Sequence, residues 1–127
     1  MRKTVPLLLV LLAMVGCRTK LNEEKVITLD GLNGQGLKID AIKSAQTVKV
    51  SATANSGTFN LYFFLAKDQT ALENDNFGGK SAGKLLGSQL KATKADLSAN
   101  VPANEEAVVM LMSADSKKAE VKLKVTN

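Results

Sequence analysis

Oxygen-bearing side chains crowd one short stretch of this 127-residue chain: Asp68, Glu73, Asn74, Asp75 and Asn76, followed by Phe77-Gly78-Gly79. Calcium takes about six to eight oxygen ligands, several of them carboxylates. Asp68, Glu73 and Asp75 therefore form a candidate cation site. Their spacing is not that of an EF-hand loop, and an Asx-rich solvated turn accounts for the same composition. Glu105-Glu106 is a second carboxylate cluster. Adjacent strand residues point to opposite faces, which makes this pair a poor acid–base couple. Ser81-Ala82-Gly83-Lys84 is an S-x-x-K string, but such a nucleophile needs a larger α/β domain and partner motifs. Gly78-Gly79-Lys80-Ser81 lacks the first glycine and the strand–helix setting of a phosphate loop.

Histidine is absent. The commonest general acid–base group and the commonest metal ligand are thereby missing. The composition points to a non-catalytic protein without a cofactor. Its rival is a hydrolase working with carboxylates and lysines alone.

Phe59, Tyr62, Phe63 and Phe64 supply four of the five aromatic residues. In an extended segment Phe59 and Phe63 share one face and fill the core. Tyr62 and Phe64 lie on the other. There they either form an exposed ligand surface or pack beneath the loop at 74–83.

The single cysteine, Cys17, follows Ala13-Met14-Val15-Gly16 at the end of an apolar run, 4–15, that opens after Arg2-Lys3. Twelve residues rise about 18 Å as a helix, against roughly 30 Å of hydrocarbon core. That length suits a signal peptide rather than a permanent span. The string resembles the bacterial lipobox, in which small residues precede a cysteine that is acylated and becomes the first mature residue. The resemblance implies a leader at 1–16, lipid on Cys17 (palmitate among its chains) and a lipid-anchored place in the cell envelope. Arg18, where an aspartate is absent, favours the outer membrane of a Gram-negative cell. The alternative is an ordinary secretory leader with an incidental cysteine. One acyl chain holds only marginally, and two or three hold firmly. A charged tether at 17–24 spans at most roughly 28 Å, which keeps the domain beside the bilayer.

Net charge is +5 for the whole chain. Setting Arg2 and Lys3 aside with the leader leaves 15 basic against 12 acidic residues. The lysines are scattered, and Arg18 is the only arginine after the leader. That pattern argues against a nucleic-acid partner. With one cysteine, an intramolecular disulfide is excluded.

Period-two alternation dominates the rest. Residues 47–54 place Val48, Val50, Ala52 and Ala54 on one face. Residues 58–65 alternate likewise around Phe59, Leu61, Phe63 and Leu65, and Asn55-Ser56-Gly57 between them signals a hairpin. Residues 107–112 are continuously apolar, as a central strand would be. Val121, Leu123 and Val125 mark a last strand with one wet face. Asp115-Ser116-Lys117-Lys118 joins these two as a second hairpin. Residues 25–29 and 37–42 are further strand candidates. Asp68 could cap a short helical turn reaching Glu73. Residues 74–83 read as a loop, 84–91 as strand or helix, and 95–100 as one helical turn. The expected fold is all-β, an antiparallel β-sandwich of about six to eight strands over 25–127, after an N-terminal signal helix.

The stretch 37–67 resembles the bacterial pre-peptidase C-terminal domain. Ala45-Gln46-Thr47-Val48-Lys49-Val50 and Asn60-Leu61-Tyr62-Phe63 carry the likeness. Val101-Pro102-Ala103 followed by 107–127 resembles that family's closing strands. The usual turn glycine is Ala45 here, and the family's acidic turn residues are missing. The resemblance implies an accessory or binding module. The expected function is a membrane-anchored β-sandwich that binds or scaffolds an envelope protein or glycan. The alternative is an inhibitor of an extracellular enzyme.

Overall fold

The computed structural model describes residues 21–31 and 33–127. The expected leader at 1–16, Cys17 and the first part of the tether lie outside the described residues. Eight strands build the domain: β1 (Asn22–Leu29), β2 (Gln35–Ile39), β3 (Gln46–Ser56), β4 (Phe59–Leu65), β5 (Leu85–Ala92), β6 (Lys94–Val101), β7 (Ala107–Ser113) and β8 (Ala119–Thr126). One short helix, α1 (Gln69–Asn74), sits between two 3-10 segments, Ala66–Asp68 and Gly79–Lys84. The strands form two four-stranded antiparallel sheets. The first runs β1-β8-β3-β6 and the second β2-β7-β4-β5. The all-β sandwich expected from the alternation is the fold, and its wiring is that of a jelly roll.

Both expected hairpins are arches instead. β3 lies in the first sheet and β4 in the second, as β8 and β7 do. Alternation and turn residues are the same for a hairpin and for an arch that crosses to the opposite sheet. What separates them is which apolar face meets which across the core. Here the inward residues of β3 (Val48, Val50, Ala52) and β4 (Phe59, Leu61, Phe63) share one core from opposite sheets. Gly57 closes the first arch with φ +76°. A Cβ there would sit 2.8 Å from Ala119 Cβ and 3.0 Å from the Lys118 carbonyl oxygen, so no side chain fits. Of the seven connections between strands, only β4 to β5 stays within one sheet.

Residues 95–100 belong to β6 rather than to a helical turn. Ala95, Leu97, Ala99 and Val101 point inward, and pairing with β3 from Gln46↔Val101 to Thr53↔Lys94 fixes the register. Alanine favours helix, but tertiary pairing overrides so small a preference. Residues 84–91 resolve as β5. Gly87 leaves the space that Leu97 Cδ1 occupies, 3.2 Å from a Cβ built at that position. β1 starts at Asn22, before Lys25, because its pairing with β8 extends to Asn22↔Thr126. β2 covers Gln35–Ile39 and stops short of Ile42. The helix after Asp68 exists, but Asp68 makes no side-chain cap bond.

Phe59, Phe63, Leu61, Leu111, Leu123 and Val121 are fully buried in the main core. Each such side chain contributes roughly 1.5–3 kcal/mol through burial. The first and last described residues meet at one end of the sandwich. Leu21 N–H donates to Asn127 Oδ1 at 2.9 Å, and Asn127 Nδ2 donates to Gln46 Oε1 at 2.8 Å.

Candidate functional site

Tyr62 and Phe64 do point away from the main core, but they are not an open surface. Tyr62 is 9% exposed and Phe64 0%. Both lie under the segment between β4 and β5, in a satellite cluster with Leu72, Phe77, Leu85, Val108 and Met110. The Phe77 ring stacks on Tyr62 with centroids 4.5 Å apart and lies 5.7 Å from Phe64. Asn76 (φ 52°) and Phe77 (φ 60°) both take left-handed backbone to place that ring. Such residues persist only where packing holds them. Burial pushes the Tyr62 hydroxyl above its ordinary pKa, partly opposed by a hydrogen bond with Asn60. Of the two arrangements expected for this pair, packing beneath the following chain is the one found, and the exposed ligand surface is not: the chain after β4 folds back and covers both rings.

The carboxylates of the same segment are dispersed. Asp68 precedes α1, Glu73 accepts a hydrogen bond from Gln69 Nε2 at 3.2 Å, and Asp75 Oδ2 accepts one from Ser81 Oγ at 2.5 Å. Among the described residues, no group of three or more His, Cys, Asp or Glu is placed to hold a metal ion. Ser81 is 6% exposed, with its hydroxyl against Asp75 and, at 3.2 Å, the Ala71 carbonyl oxygen. It clamps the cap rather than facing a substrate. Glu105 and Glu106 go separate ways, to Lys67 at 3.3 Å and Lys38 at 3.0 Å. Glu106, by hydrogen bond and by charge, holds the Lys38 ammonium above its ordinary pKa.

A different place offers open chemistry. The outward face of the first sheet carries a depression of about 460 Å³, lined by Lys49, Val50 and Ser51 of β3, Asp96, Leu97 and Ser98 of β6, and Lys124 and Thr126 of β8. That volume falls in the range of about 300–1,000 Å³ usual for small-ligand sites. The register explains its shape. Ser51 stands opposite Lys124 on one side and Asp96 on the other, while Lys49 stands opposite Thr126 and Ser98. Three short hydroxyl residues, two lysines and one carboxylate line it beside Val50 and Leu97. No motif in the sequence marks this site, because its residues come from three strands far apart in the chain.

No helix among the described residues is long and apolar enough to cross a membrane. No family model and no curated protein matches this chain, so the resemblance of 37–67 to pre-peptidase C-terminal domains rests on those residues alone.

Proposed function

We propose that this chain is a bacterial lipoprotein precursor whose β-sandwich, tethered through lipid on Cys17, binds or scaffolds another component of the cell envelope without catalysis. One observation carries the reading. A basic start, a short apolar run and Gly16 lead directly to the only cysteine in the chain. The ordered domain supports it, since Leu21 is already bonded to Asn127. Four residue steps separate Cys17 from Leu21, a reach of at most roughly 14 Å. The anchored domain would therefore sit against the bilayer with the end that carries Leu21, Gln46 and Asn127. Arg18 favours the outer membrane as its place. Absence of histidine and the buried position of Ser81 support a binding role over a hydrolytic one.

The test is fractionation and mass spectrometry in the native host. Wild-type protein is expected in the membrane fraction with an acylated Cys17 as its first residue, and Cys17→Ala in the soluble fraction. A thiol left unmodified at Cys17, or continued membrane retention of Cys17→Ala, overturns the reading.

A further inference from the structure

We propose that the depression on the first sheet is the binding site of this module and that its ligand is an acidic glycan, a sugar chain bearing carboxylates. The proposal rests on the reading of the chain as an envelope-binding module.

The charges around the depression are arranged to stay available. Glu24 stands directly opposite Lys124, but its carboxylate is taken by Lys122, which reaches diagonally across the β1–β8 pair to meet it at 3.1 Å. Lys49, Lys124 and Asp96 do otherwise: among the described residues, none of them has an ion-pair partner within 4.0 Å. Ser51 stands between Lys124 and Asp96. It holds these opposite charges two strands apart, roughly 10 Å at the backbone. Two ammonium groups against one carboxylate leave the depression positive, so it complements an anion. Lysine serves as a point charge for a carboxylate and needs no planar fork.

The hydroxyls select the rest of the ligand. Ser51, Ser98 and Thr126 each offer a hydroxyl that donates and accepts, and Asp96 accepts, which matches the mixed donors and acceptors of sugar hydroxyls. A neutral sugar would lack a stacking surface here. Among the described residues, Phe59 and Phe63 lie in the main core, and Tyr62, Phe64 and Phe77 lie in the satellite cluster on the other sheet. Without an aromatic platform, charge and hydrogen bonds set the specificity, beside what Val50 and Leu97 offer by contact. An extended acidic peptide fits less well, because peptides add to sheet edges through free backbone groups. Beneath the depression β3 and β8 already pair on both sides, which leaves only the outer edge of β6 for such addition. A bilayer surface is flat and would leave the concavity unfilled.

Calorimetric titration of the full-length protein in neutral detergent micelles tests this. The probes are oligogalacturonate and the same oligomer fully methyl-esterified. Binding of the acid and not of the ester is expected, weakening as salt rises. Lys49→Gln and Lys124→Gln should each weaken binding by about fivefold, in keeping with exposed ion pairs. Lys38→Gln, on the second sheet and paired with Glu106, should leave binding unchanged. No binding of oligogalacturonate, equal binding of the ester, or unchanged binding by the Lys49→Gln/Lys124→Gln double variant overturns the proposal. Equal binding of polyglutamate, or of anionic vesicles through the same two lysines, overturns the glycan assignment. A photo-crosslinker at Ser51 separates the failures. If it captures a non-glycan envelope component, the module reading stands and the ligand class falls. Failure of the tethering test brings down the module reading itself.

Discussion

The two outward faces of this sandwich have opposite chemistry. On the first sheet, Lys49, Thr53, Asp96, Lys122 and Lys124 stand in solvent. On the second, Tyr62 and Phe64 are buried, and Val108, Met110 and Met112 are half-buried. The strands themselves anticipate the difference. β3 reads QTVKVSATANS and alternates, whereas β4 reads FNLYFFL and is apolar on both faces. A strand wet on one side alternates, and a strand covered on both does not. The cover is supplied by the one connection that stays within a sheet. Because β4 and β5 are neighbours in the second sheet, the intervening chain is released to fold over that sheet, carrying α1 and Phe77.

Breaking the covered face should cost most. Phe64→Ala is expected to lower the unfolding free energy by about 3–5 kcal/mol, as for other fully buried phenylalanines. Ser51→Ala on the open face should stay within about 0.5 kcal/mol. Urea denaturation of both variants checks the contrast, and equal losses would erase it.

Phe77→Ala sharpens the comparison, since it removes the cap's ring and leaves the sheet intact. It forfeits the aromatic pairing, about 0.5–1.5 kcal/mol beyond area burial, and alanine, which keeps its Cβ, gains no relief at the left-handed position. Tyr62 is the only tyrosine and the chain has no tryptophan, so alkaline difference spectroscopy reads this residue alone. In the wild type the hydroxyl should ionise above its ordinary pKa, with the neutral form favoured by burial. The stability linked to this ionisation is complete below the unfolded pKa, about 10, and is lost as pH rises through the folded value. In Phe77→Ala the ionisation should move down toward the ordinary range. An unmoved titration would mean that the cap does not set Tyr62's environment.

The smallest effect is expected at the arch between β7 and β8. Asp115 Oδ1 accepts the Lys117 N–H at 3.1 Å, and Ser113 Oγ lies 3.1 Å from the same oxygen. The Lys117 backbone bond, with Ser113 assisting, holds the Asp115 carboxyl below its ordinary pKa. A lowered carboxyl pKa contributes stability above the unfolded value and loses it as pH falls through the folded one. Asp115→Asn should therefore flatten the acid limb of the stability curve slightly, as read by thermal melts across the acid range.

Much of the fold was legible in the sequence. The period-two runs around Val48, Phe59 and Val121 are strands, and the continuously apolar 107–112 lies in β7, central between β2 and β4. Sheet membership was not legible, because Asn55-Ser56-Gly57 suits a hairpin and an arch equally. The strand at Ala95 was obscured by alanines that favour helix until β3 pairs with them. Tyr62 and Phe64 were correctly set apart from Phe59 and Phe63. Their cover depends on a chain reversal through left-handed backbone at Asn76, a residue that takes it readily, and at Phe77, one that rarely does. The depression was invisible for a different reason. Lys49, Asp96 and Lys124 become neighbours only through register, and no local spacing encodes it.

β8 carries a consequence for how the molecule comes into being. It is the last strand, and it is the partner of both β1 and β3. Until residues 119–126 emerge, the opening strand has no neighbour and the first sheet is split in two. Most of the native pairings join distant parts of the chain, a topology that folds slowly, in milliseconds to seconds. The second sheet has all its strands by Ser113, whereas the first closes only when β8 slots between β1 and β3. Trimming a few residues from the carboxyl terminus should be far more damaging than their small number suggests.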